Sequence, residues 1–223
     1  PLPFGTDDPV LVQEAIAATY GMIEFIDHAI GRVLDHLDHL GIAEDTLIIF
    51  TSDHGDIMGD HSLMVKGNIH YQGVVRVPLC IAGPGVVPGR SAGLVSSVDI
   101  APTILDRCEL EQYRDIQGST LTSVLSGTET SIRDHVLIED DLDPKIAALT
   151  GNPARMRTLI TDDLRFTRDS NGHEQLFDLR VDPNETEDRS TSDDRRGDLT
   201  TALVDAMMSV DDIGGGVGRT RAV

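Results

Sequence analysis

The sequence predicts an α/β fold, with helices around a mostly parallel sheet, followed by a small antiparallel sheet plus one helix. Three observations lead there. A long helical period runs through a glycine stop into an apolar strand without alternation, and a second apolar strand again leads to a helix. Beyond residue 126 short strand patterns take over, two of them joined by a hairpin turn signal.

The first helix is expected to start at Asp8-Pro9, with Asp8 as cap and Pro9 at the first helical position. Met22, Ile23, Ile26, Ile30, Val33, Leu34 and Leu37 recur at spacings of three and four, so one stripe should face a core, and Gly41 ends the helix. Thr46 to Thr51 reads as a strand covered on both faces in a parallel sheet. Val77 to Ala82 reads as a second buried strand, with Pro78 at its start or edge and Cys80 as a buried thiol. Leu94 to Val98 is a shorter strand candidate, and Asp99 leads into a helix through Thr103, Ile104 and Leu105.

Gly, Thr, Ser and charges replace the apolar period near Ser126 to Arg133, and a lobe boundary is placed there, giving segments 1–126 and 127–213 with a fraying tail at 214–223. In the second segment His135 to Ile138, Met156 to Thr161, Leu164 to Thr167 and Glu174 to Leu179 are strand candidates. Ser170-Asn171-Gly172 marks a hairpin. A last amphipathic helix presents Leu199, Leu203, Val204, Met207 and Met208 on one face. The acidic run Glu139 to Asp143 reads as a solvated loop without the spacing of an EF-hand, and Arg155, Arg157, Arg165 and Arg168 are expected to alternate outward.

Composition restricts function. A chain of 223 residues with 39% apolar content can bury a sizeable core. Its 18 Lys and Arg against 38 Asp and Glu, a net charge of −20, argue against a nucleic-acid partner. A small anionic substrate stays compatible, because a metal ion and one lysine reverse the potential inside a pocket. No apolar run approaches the roughly 20 residues that cross a bilayer. The chain opens at Pro1-Leu2-Pro3 and reads as if it begins inside a longer protein; the compartment is therefore open, with the cytoplasm as the expectation. Cys80 and Cys108, without CxxC spacing, suggest neither a disulfide scaffold nor a zinc site.

The chemistry concentrates after the first strand, where α/β sheets gather their ligands. In Thr51-Ser52-Asp53-His54-Gly55 the carboxylate of Asp53 and the imidazole of His54 can face one divalent cation from a turn. Gly59-Asp60-His61-Ser62-Leu63-Met64-Val65-Lys66-Gly67 then supplies a lysine. The two stretches together resemble the sulfatase family of the alkaline phosphatase superfamily, with its Ser-Asp-His-Gly or Ser-Asp-Asn-Gly turn followed by Gly-x-His-x-x-x-x-Lys-Gly. Arg76-Val77-Pro78-Leu79, Asp99 to Leu105, the helix from Tyr20 through Leu37, Glu174 to Leu179 and Asp182-Pro183-Asn184-Glu185-Thr186 are similar to further family elements in the same order.

The resemblance implies an alkaline phosphatase-like sandwich, of which this chain is the C-terminal half plus the small C-terminal subdomain. It implies that Asp53 and His54 are two ligands of one active-site cation, calcium in preference to manganese or zinc. Lys66 would be the catalytic and substrate-binding group that holds a sulfate or phosphate oxygen. His61 either lines the same pocket as a substrate-binding residue or braces the loop, and His70 and Tyr71 are assigned to packing. The family's formylglycine nucleophile arises from Cys-x-Pro-x-Arg or Cys-x-Ala-x-Arg, and neither Cys80 nor Cys108 stands in such a motif. The nucleophile and the other acidic ligands are therefore expected in the N-terminal half, and this segment alone is expected to be inactive. The full protein is expected to be a sulfuric ester hydrolase. The alternatives are a phosphonate monoester or phosphodiester hydrolase of the same superfamily, and a non-catalytic binding or structural module. An apolar sheet edge left bare in this segment would favour a homo-oligomer.

Overall fold

The computed structural model describes residues 8–113 and 116–211, which cluster into two compact units, Pro1–Pro88 and Gly89–Val223.

In the first unit α1 (Pro9–Leu40) starts where the Asp8 carboxylate accepts from the backbone N–H of Val10 at 2.9 Å and of Leu11 at 3.4 Å, with Pro9 inside the first turn. It stops at Gly41, whose φ of 69° is the left-handed cap geometry. The apolar stripe forms, but no residue of α1 is buried, and Tyr20, Met22, Ile23, Phe25 and Val33 are exposed. The expected cover for this stripe is not among the described residues. Capping and the helical period thus set the element without tertiary burial.

β1 (Ile48–Thr51), β2 (Ile57–Met58), β3 (Met64–Val65), α2 (Gln72–Val75) and β4 (Leu79–Ala82) follow. β1 pairs antiparallel with β4, Ile48 opposite Ala82 and Thr51 opposite Leu79. A parallel neighbour was expected for β1. An apolar run without alternation reports cover on both faces, however, and carries no information about the direction of the neighbouring strand. Cys80 is exposed rather than buried, because this two-stranded pair has no further layer over it among the described residues. β2 and β3 form a short antiparallel hairpin, Ile57 opposite Val65 and Met58 opposite Met64.

In the second unit the strand expected at Leu94 to Val98 does not form. Ser97–Asp99 is a 3-10 turn instead, closed by a reciprocal cap in which the Ser96 N–H donates to Asp99 Oδ2 at 2.7 Å. Asp99 is fully buried and also accepts from the Ser119 N–H and the Arg133 guanidinium, so polar capping overrode the apolar run. α3 (Ile100–Arg107) and α4 (Thr122–Leu125) come next.

β5 (His135–Asp141), α5 (Pro144–Thr150), β6 (Arg155–Thr161), β7 (Leu164–Asp169) and β8 (Glu174–Asp178) complete the strands. β5 to β8 form a four-stranded antiparallel sheet in sequential order. α6 (Arg196–Asp211) covers one face, with Leu199, Leu203 and Ala206 buried against Leu159, Leu164, Phe166 and Leu176. Met207 joins this core partly, whereas Val204 and Met208 are exposed, so the buried stripe is narrower than the sequence pattern.

Two polar expectations change. Glu139 and Asp141 belong to β5 rather than to a loop, and both pair with Arg157 at 2.8 and 2.7 Å, while Asp143 caps α5. The cross-strand cation removes the repulsion that made this acidic run read as a loop. Arg165 does not point outward. Leu164 and Phe166 take the face under α6, so Arg165 and Thr167 occupy the opposite face, where Arg165 is fully buried, pairs with Glu185 and lies 4.7 Å over the Phe177 ring.

The 214–223 tail lies outside the described residues. Among the described residues no helix is long and apolar enough to cross a membrane.

Candidate active site

The site lies in the first unit and begins where β1 ends. Ser52 Oγ donates to the His54 carbonyl at 2.9 Å, and the His54 N–H donates to Asp53 Oδ1 at 3.0 Å, which folds the chain into a tight polar turn. Gly55 then passes against the segment after the hairpin. Its N–H donates to the Val74 carbonyl at 2.8 Å, and a Cβ at this position would stand 2.1 Å from the Gly73 carbonyl oxygen. Only glycine fits that approach.

The turn sets the imidazole. His54 Nδ1 lies 2.9 Å from the Gly55 carbonyl, which can only accept, so Nδ1 carries the proton and Nε2 presents its lone pair outward. Asp53 Oδ2 lies 3.5 Å from Nε2, and the Nζ of Lys66 contacts Nε2 from the other side. Asp53 is largely exposed and His54 partly so. Asp53's carboxyl is held below the ordinary carboxylate range, first by the His54 backbone N–H, with a smaller contribution from the Lys66 charge.

Lys66 arrives through the β2–β3 hairpin. Ile57 is 1% exposed and anchors β2, and Val65 lies opposite it, so Lys66 leaves the hairpin directly after a paired residue. The connecting loop holds His61 at φ 55° and Ser62 at φ 56°, and Val65 at φ 60° precedes the lysine. Left-handed backbone at the β-branched Val65 is costly, and three non-glycine residues in that conformation within His61 to Val65 mark a shape enforced by its surroundings.

The structure therefore brings Asp53, His54 and Lys66 together. His61 is adjacent in the loop, but its ring is stacked on Tyr71, with centroids 3.8 Å apart and planes at 12°. His70 is buried at 6% exposure, a packing position as expected. The sequence reading missed the contribution of Gly73 and Val74, which buttress the Asp53-His54 turn. The only available signal was the pairing of two glycines, Gly55 and Gly73, across a tight approach.

A divalent cation fits Asp53 and His54 as two donors. The imidazole lone pair and a carboxylate oxygen face the same space, the second imidazole nitrogen is fixed by a carbonyl as in metal-bound histidines, and a cationic group already stands at Nε2. Two donors are fewer than any divalent cation takes. Among the described residues no three His, Cys, Asp or Glu side chains are grouped to complete the shell.

An α/β segment with an Asp-His turn facing a lysine, followed by a small antiparallel sheet and helix, is the arrangement that the resemblance to the sulfatase family leads one to expect. The family model described as Sulfatase matches residues 4–109, and that described as N-sulphoglucosamine sulphohydrolase, C-terminal, matches residues 59–212. The chain belongs to the sulfatase family. It is 34% identical to an arylsulfatase of Clostridium perfringens over 78% of this chain and 35% of that protein. It is 32% identical to the choline-sulfatase of Rhizobium meliloti over 87% of this chain and 36% of that protein. The phosphonate monoester hydrolase of Agrobacterium radiobacter superposes with a TM-score of 0.73 at 30% identity, covering 86% of this chain and 40% of that one. The chain thus spans about a third of the length of the curated relatives it matches.

Proposed function

We propose that the complete protein is a metal-dependent hydrolase of sulfate esters. In it this chain supplies residues 1–126 as the C-terminal half of the catalytic domain and 127–213 as the small C-terminal subdomain. The observation that carries the proposal is the convergence of Asp53, His54 and Lys66 on one space. The named sulfatases among the relatives support the ester class.

Asp53 and His54 would hold the cation, with calcium preferred over manganese or zinc. Once bound, it supplies Lewis acidity at the ester oxygen and lowers the cost of forming the nucleophile. Lys66 swings from Nε2 onto a non-bridging oxygen of the sulfate, where its point charge offsets the negative charge that grows as the S–O bond breaks. His54 keeps its orientation through the Gly55 carbonyl while this happens. The nucleophile, expected to be formylglycine, would be supplied by residues outside 1–223, and this segment alone is expected to give no turnover.

A second reading, phosphonate monoester or phosphodiester hydrolysis, is favoured by the likeness to the Agrobacterium radiobacter enzyme, because the same cation pair and lysine suit a tetrahedral phosphorus centre. Steady-state kinetics of the full-length protein on paired aryl sulfate and aryl phosphodiester substrates test the proposal. A higher kcat/KM on the sulfate is expected; dominant turnover of the phosphodiester overturns it in favour of the second reading.

A further inference from the structure

The turn α2 and the residue before it touch both arms of the site. Val74 holds the Asp53-His54 turn through its carbonyl and the Gly55 N–H, at 2.8 Å. Gly73 packs so closely that a Cβ on Gly55 has no room, and a Cβ on Gly73 would meet Ile57 of β2 at 3.7 Å. Tyr71, the residue immediately before α2, lays its ring flat on His61 in the loop that delivers Lys66. One short segment thus grips the turn through its backbone and the lysine loop through an aromatic face.

The loop needs such a grip. His61, Ser62 and Val65 all hold left-handed backbone, which an isolated loop would abandon, and the Lys66 side chain follows directly on Val65. A ring stack near 3.8 Å with planes almost parallel fixes both the height and the tilt of the loop over α2. We infer that the stack of His61 on Tyr71 is a positioning joint: it sets where the Lys66 ammonium stands relative to His54, and neither ring needs to touch the substrate. This rests on the reading of Lys66 as the group that holds the ester's anion.

The test uses the full-length protein with His61→Asn, Tyr71→Ala and Tyr71→Phe. Asparagine tolerates left-handed backbone, so His61→Asn removes the ring without adding backbone strain, and Tyr71→Phe keeps the stack while removing the hydroxyl. Both ring-removing variants are expected to show the Lys66 ammonium displaced from its parent position beside the Asp53-His54 turn in crystal structures. They should also lower kcat/KM for an aryl sulfate and raise the inhibition constant of inorganic sulfate, each by about ten- to a hundredfold. Tyr71→Phe should stay near the parent protein in all three. Simple destabilisation would lower apparent kcat and leave KM and sulfate inhibition unmoved. An unmoved Lys66 ammonium in both ring-removing variants overturns the joint, as does a loss in Tyr71→Phe equal to that in Tyr71→Ala. A parent protein without sulfate ester turnover or sulfate inhibition sinks the functional reading instead, and the place of the Lys66 ammonium in the variant structures still decides the joint.

Discussion

The imidazole of His54 is held from both sides, with Nδ1 on the Gly55 carbonyl at 2.9 Å and Nε2 against the ammonium of Lys66. A cation bound at Nε2 would displace the ammonium, and an anionic ligand would draw it. That exchange of partners is the basis of the first prediction.

Lys66→Ala in the full-length protein should lower kcat/KM on an aryl sulfate by about a hundred- to a thousandfold, the usual loss for one preorganised charge stabiliser. Lys66→Arg should recover only part of it, because a planar fork does not replace a compact point charge reached over a strained loop. Steady-state kinetics of the two variants check both statements.

Asp53→Asn and His54→Ala should each reduce turnover by about a hundredfold or more and reduce the bound metal, since even outer partners of metal ligands cost up to that much. Elemental analysis of the purified variants, alongside kinetics with added calcium and manganese, is the check. Full metal content with full activity in Asp53→Asn would remove this residue from the site.

Arg165 and Glu185 are 0% and 3% exposed, and each would leave an uncompensated buried charge if its partner were lost. Glu185→Gln or Arg165→Met alone should destabilise the protein by about 3–5 kcal/mol, whereas the double replacement by apolar residues of similar size should restore most of that loss. Denaturant unfolding of the singles and the double measures the coupling.

The Asp193 carboxyl is drawn down from its ordinary 3.8 to about 2, chiefly by the Arg195 side chain and then by the Arg195 backbone N–H. A depressed folded value means that the unfolded chain binds the proton first. The contribution is therefore present above about pH 4 and is lost as pH falls towards 2. Asp193→Asn should be less stable by about 1 kcal/mol or less near pH 6, since Arg195 is partly exposed, and the two proteins should converge near pH 2. Thermal unfolding across that range tests the convergence.

Much of the fold was legible because its determinants are local. Asp8, Pro9 and Gly41 bound α1 through the capping chemistry of neighbouring backbone groups, and Ser170-Asn171-Gly172 joined two strands whose alternation was already visible. Leu94 to Val98 misled because the competing bonds come from outside the segment. The carboxylate that closes the 3-10 turn is held in place by Ser119 and Arg133, which are distant in sequence. Arg165 misled for a related reason: alternation placed it correctly on the face away from α6, but only the return of Glu185 over that face made it a buried one.

At the site, residue types and order left Asp53 and His54 open between a cap with a surface histidine and a metal pair, and it was the resemblance to a family's ordered motifs that singled out Asp53, His54 and Lys66. The convergence of the three was decided by the hairpin of Ile57 to Val65 and by the backbone of Gly73 and Val74, because pairing register and close approach depend on what a residue meets, which its identity does not state. The same holds for His61: the sequence left it between pocket and brace, and the ring of Tyr71 beneath it, brought there by the fold, gives it a partner in packing.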